Sequence, residues 1–105
     1  MDIQRLRNLT TARLHTDIGF IYQDLEWITG KPGLMTHMLP RALNAVTPWL
    51  RQHVTDARFW DDAFDQSHVG SYHLPEPTAA DRQVMGELYL RQPNPLDRFT
   101  PFKQA

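Results

Sequence analysis

Two amphipathic runs joined by a hinge that cannot be helical occupy residues 16–50, and they constrain this chain more than any other feature. Ile18, Ile21, Tyr22, Leu25 and Ile28 recur at helical spacing, behind an N-cap at Thr16 or Asp17 and ahead of a stop at Gly30. The following Gly30-Lys31-Pro32-Gly33 cannot extend that helix, because glycine relaxes the backbone and proline lacks the amide hydrogen. A second helix is predicted from Met35 or Thr36 through Met38, Leu39, Ala42, Leu43 and Val46, with Pro40 tolerated near the first turn. At Thr47-Pro48 either a fresh helix begins, covering Trp49 to Val54, or the same helix kinks.

The flanks are less constrained. Met1 to Asn8 carries Ile3 and Leu6 at helical spacing but is too short to stand alone, so a docked turn is expected. Alternation at Ala12, Leu14 and Thr16 favours a short strand over 9–16, unless that run extends the next helix backwards. Ser71-Tyr72-His73-Leu74 alternates before Pro75 and could pair with the strand at Arg13 to Thr16. Phe59 with Ala63, and Trp60 with Phe64, stand at i and i+4 and would share one helical turn. Thr78 caps a last helix, with Asp81 reaching back; Val84, Met85, Leu88 and Tyr89 lead toward Gln92, and Pro93 ends it. The expected fold is mainly α with a minor α+β component. It is a small single-domain helical bundle over 1–92, with room for a short two-stranded β-ribbon. Residues 93–105, with Pro93, Pro95 and Pro101, form an extended proline-rich C-terminal strap.

A length of 105 residues with 41% apolar content suits one domain with one modest core. Eleven basic and twelve acidic side chains nearly cancel, which removes the drive for sequence-independent nucleic-acid binding. The cluster Arg5, Arg7 and Arg13 is flanked by Asp2 and Asp17 and reads as solvated surface. Absence of cysteine rules out disulfides and thiolate metal sites. Apolar runs fall short of a bilayer span, and Asp2, Arg5 and Arg7 stand where a signal peptide needs apolar residues, so a soluble cytoplasmic protein without membrane contact is expected.

No motif of known chemistry emerges, and neither a cofactor nor enzymatic activity is expected. Asp61, Asp62, Asp65, His68 and His73 form the densest group of metal-ligating types, but without the paired spacing of a metal site. An acid-base reading would use His15 with His73, or Asp17 or Asp24 with His37. Gly30-Lys31-Pro32-Gly33 lacks the length and terminal Lys-Ser/Thr of a phosphate loop and reads as a turn. The aromatic group Trp49, Phe59, Trp60 and Phe64 is mostly core by size, yet it has the composition of a partner-binding hot spot, with Trp60 as the expected exposed anchor.

Thr11-Ala12-Arg13-Leu14-His15-Thr16, then Ile28-Thr29-Gly30, then Met35-Thr36-His37-Met38-Leu39-Pro40-Arg41-Ala42 together resemble an uncharacterised family of small phage and prophage proteins. The resemblance covers about the first half of the chain and brings no active site. It implies a phage accessory protein working in the host cytoplasm and, by analogy with anti-CRISPR and other counter-defence proteins, a host protein as its partner. The last helix could equally serve a homo-oligomer. A small metal-assisted or His-based hydrolytic enzyme using His15, His37, His68 or His73, and a nucleic-acid-binding module led by Arg5, Arg7 and Arg13, are the competing expectations.

Overall fold

The computed structural model describes residues 1–61 and 65–91. Its α-helices are α1 (Ile3–Thr11), α2 (Ile18–Thr29), α3 (Leu39–His53) and α4 (Ala79–Arg91), with 3-10 turns at Thr36–Met38 and Ala57–Trp60. Helix α2 begins at Asp17 and ends on Gly30, whose left-handed φ of 71° suits a residue without Cβ. The hinge turns again at Gly33, φ 79°. Helix α3 runs through Pro48 without a fresh start, so the alternative of a separate Trp49 to Val54 helix is set aside. Its missing amide would have bonded the carbonyl of Asn44, and Asn44 lies on the exposed face where water can serve. Helix α4 starts as its sequence spells. The Asp81 amide donates to Thr78 Oγ1 at 3.0 Å and the Thr78 amide to Asp81 Oδ2 at 3.0 Å.

Two local expectations are overturned. The first residues form a full helix instead of a docked turn, because Asp2 caps it by accepting from the Arg5 amide at 3.0 Å and because Ile3, Leu6 and Leu9 are buried. Tertiary packing thus carries a helix too short to persist alone. No ribbon joins 9–16 to 71–74. Leu9 to Thr11 belong to α1, Ala12 turns left-handed at φ 56°, and Ser71 bridges Asp2 in antiparallel fashion instead. The Ile3 amide reaches the Gly70 carbonyl at 2.9 Å and the Tyr72 amide the Met1 carbonyl at 2.8 Å. The buried Asn8 holds the 12–17 loop, accepting from the His15 amide and donating to Thr16 Oγ1, both at 2.7 Å. The 3-10 turn at Ala57–Trp60 replaces part of the expected α-helical turn; its i+4 partners Ala63 and Phe64, like Gln92 and the strap at 93–105, lie outside the described residues.

The core gathers Leu6, Leu25, Ile28, Val46, Leu50 and Phe59 from α1, α2, α3 and the second 3-10 turn, with Met85 closing it from α4. Polar cross-ties join these elements. Arg5 grips Asp24 with two bonds, Nη2 to Oδ1 at 2.5 Å and Nε to Oδ2 at 3.1 Å, and lies 4.5 Å over the Phe20 ring. Arg82 of α4 donates to the Trp27 carbonyl at 2.7 Å and the Ile28 carbonyl at 3.2 Å, so it caps the end of α2 from another helix. Tyr72 OH does the same for α3 at the His53 carbonyl, 2.8 Å.

Arg5→Ala strands the buried Asp24 carboxylate. A loss of about 3 kcal/mol is expected, the low end for breaking a buried pair because the Arg5 side chain keeps 30% exposure. Replacing both, as Arg5→Met with Asp24→Leu, should recover most of it in urea unfolding. Gly30→Ala is expected to cost about 1 kcal/mol or more by the same measurement, since its Cβ adopts a left-handed backbone and would sit 2.8 Å from Arg82 Cδ.

Candidate functional site

Where α2 ends, the hinge folds back beneath α4 and leaves a pocket of about 140 Å³. Leu34, Met38 and Ala42 wall it on one side and Met85 and Tyr89 on the other, with Pro32 at the hinge. Local bonds fix each wall. Glu26 Oε2 accepts the Leu34 amide at 2.9 Å, which folds the hinge against α2. Thr29 Oγ1 donates to the Leu25 carbonyl at 2.8 Å and accepts the Lys31 amide at 3.3 Å, so this hydroxyl is committed to the turn. Arg41 donates to the Tyr89 carbonyl at 3.0 Å and lies 4.6 Å over its ring. Lys31 also lines the pocket, and its Nζ lies 3.6 Å from where a Cβ on Gly86 would stand. Among the described residues no carboxylate comes within ion-pair distance of that ammonium. A cleft lined by Ala79, Arg82, Gln83, Glu87 and Leu90 continues from it along α4.

This pocket was not visible in the sequence. Its walls come from 29–42 and 85–89, and the hinge reads as a plain turn. The one available signal was Gly86, a glycine inside a helical pattern, where it costs stability relative to alanine.

The aromatic group divides. Trp49 and Phe59 are buried at 5% and 1% exposure, so packing claims them and neither offers a surface to a partner. Trp60 is half-buried instead of exposed; its indole N–H donates to the Val54 carbonyl at 2.8 Å, and the Arg51 guanidinium lies 4.1 Å over the ring. Phe64 lies outside the described residues. Among the described residues no three His, Asp or Glu side chains are placed to hold a metal ion. Asp65 accepts the Ser67 hydroxyl at 2.6 Å and amide at 2.9 Å, which hold its carboxyl below the usual range; Asp62 is not described. Asp24 answers Arg5, not His37, and His37 and His73 are exposed. His15 is half-buried with Nε2 at 3.1 Å from Thr11 Oγ1, and without the ribbon no strand pairing aligns it with His73.

The N-terminal arginines do not share one surface: Arg13 is exposed and Arg7 is not. Arg7 is buried, donating to the Arg58 carbonyl at 2.6 Å and the Asp61 carbonyl at 3.3 Å, with Nη1 at 3.0 Å from His68 Nδ1. A guanidinium only donates, so His68 accepts at Nδ1 and carries its proton on Nε2. That Nε2 is buried without a hydrogen-bond partner among the described residues, and the ring meets Phe59 edge-on at 4.5 Å. Burial first, then the charges of Arg58 and Arg7, push the His68 pKa down.

The folded state therefore favours neutral His68. Its contribution to stability is complete above the unfolded histidine value of about 6.5 and is lost as pH falls below it toward the depressed folded value. Urea midpoints between pH 7.5 and 5 should fall with acid. His15, also lowered by burial and then by Arg7, adds to the trend, and His68→Gln should reduce the slope.

Neither curated proteins nor solved structures match the chain. A family model does: residues 1–60 match the Domain of unknown function (DUF7736), a stretch that runs from α1 through α3 to the second 3-10 turn. Covering more than half of the chain, that match makes this protein a member of the DUF7736 family, a family without an assigned function.

Proposed function

We propose that this protein is a non-enzymatic binding module that recognises another protein, and that it is a phage accessory protein inhibiting or redirecting a host factor such as a CRISPR or other anti-phage system. The observation that carries the binding reading is the apolar pocket at the α2–α3–α4 corner, with a charged lysine among its lining residues. Large apolar side chains stand in the open on the same segments. Leu90, 73% exposed, lines the cleft that continues from the pocket, and Met35, 60% exposed, precedes the turn that carries Met38. An exposed apolar residue lining a cleft that opens from an apolar concavity, as Leu90 does, has the composition of a contact surface. The Arg51–Trp60 stack, with the guanidinium 4.1 Å over a half-buried ring, is a second candidate contact. Phage origin and a host target are supported by the sequence resemblance at 11–42 and by analogy with other small counter-defence proteins.

The test is reconstitution. A partner identified by affinity capture from host extract should form a defined complex with the purified protein in size-exclusion chromatography with light scattering. The pair Met35→Ser and Leu90→Ser, both at exposed positions, should keep the fold and weaken the complex about tenfold, or about 1.4 kcal/mol. Failure of every captured candidate to reconstitute, or turnover of a small molecule that stops when one imidazole is replaced, would defeat the reading.

A further inference from the structure

The geometry points to the corner pocket as a socket for one aromatic or leucine-sized side chain of the partner, with an acidic residue beside that side chain answering Lys31. This rests on the reading of the protein as a binding module and adds the chemistry that the partner must present.

Size sets the first limit. An apolar cavity of about 150 Å³ holds one benzene ring, whereas sites for drug-sized ligands and cofactors start near 300 Å³. The corner pocket, at about 140 Å³, is the size of one ring or one branched aliphatic group, and the adjoining cleft along α4 leaves room for the chain that carries it. Its walls suit that occupant. Leu34, Ala42 and Pro32 are apolar, and Met38 and Met85 are unbranched thioethers that adapt to either shape.

Charge sets the second limit. Three cations lie around the corner, and two are committed: Arg82 to the Trp27 and Ile28 carbonyls, with Glu76 3.9 Å away, and Arg41 to the Tyr89 carbonyl and ring. Lys31 is held by its amide to Thr29, while its ammonium meets no carboxylate among the described residues, Glu87 of the adjoining cleft included. A carboxylate next to the inserted side chain completes that ammonium. An exposed pair of this kind adds little affinity, up to about fivefold, and acts mainly to select an acidic neighbour over a neutral one. Gly86 keeps the approach open, since a Cβ there would already stand 3.6 Å from Lys31 Nζ.

The probe is 3-phenylpropionate, a ring with a carboxylate, titrated into the full-length protein labelled with ¹³C at the methionine methyl groups. Met38 and Met85 methyl signals should shift and saturate while Met1, beside Leu74 in a different pocket, stays still. The neutral 3-phenylpropanamide should bind up to about fivefold more weakly. Lys31→Gln should erase that difference, and Gly86→Leu should stop both probes while leaving the melting temperature unchanged or raised. In the reconstituted complex, Gly86→Leu should weaken binding at least tenfold. Still signals at Met38 and Met85 overturn the socket even if a partner complex forms. Probe binding with a complex indifferent to Gly86→Leu overturns the partner side chain as occupant and leaves the binding module standing. Probe binding with no complex at all defeats the module reading and makes the pocket a small-carboxylate site. The sequence holds an apolar-acidic pair of its own at Leu96–Asp97; Leu96→Ser shifting Met38 and Met85 without any probe would assign the socket to this chain instead.

Discussion

Guanidinium donors bound to main-chain carbonyls hold these helices to one another. Arg82 takes two carbonyls at the end of α2, Arg7 takes two around the second 3-10 turn, and Arg41 takes one near the end of α4. A helix end leaves its last carbonyls without partners. In a small domain the apolar core alone gives modest stability, so donors that satisfy those carbonyls and also join two elements contribute twice. Arginine suits the task because its planar fork reaches two acceptors at once; lysine would offer a point charge in its place. The same use explains why the cluster Arg5, Arg7 and Arg13 is a poor guide to function. Arg7 is inside the protein and Arg5 is clamped on Asp24, so a charge run that reads as surface in sequence is largely structural.

What could be read from the sequence was whatever depends on neighbours a few residues apart. The stop at Gly30, the turn through Gly33 and the Thr78–Asp81 cap need only local chemistry, and each stands where the spacing put it. Helix α1 was missed because its stability comes from burying Ile3, Leu6 and Leu9 against other elements, which no nine-residue window displays. The 71–74 segment was given the wrong partner for a related reason. Alternation marks extended backbone but not what it pairs with; of the segment at 9–16, α1 takes Leu9 to Thr11 and Asn8 holds the rest as a loop. The candidate site was least legible of all, since its two walls are more than forty residues apart in sequence and its one charged group sits in what reads as a plain turn.

The site also inherits its rigidity from the cross-ties. Glu26 holds the Leu34 amide and Arg82 packs against Gly30, so the hinge carrying Lys31 is braced from α2 and from α4. A braced hinge loses less freedom on binding, which is how a shallow pocket can contribute to affinity. The family match ends at residue 60, so it contains α2, the hinge and α3 but not α4. The pocket is therefore composite. Lys31, Leu34, Met38 and Ala42 come from the matched region, while Met85, Gly86 and Tyr89 come from outside it. Of those positions Gly86 borders only the pocket and the adjoining cleft, whereas Met85 also closes the core and Tyr89 packs against it, so pocket and scaffold share side chains on α4.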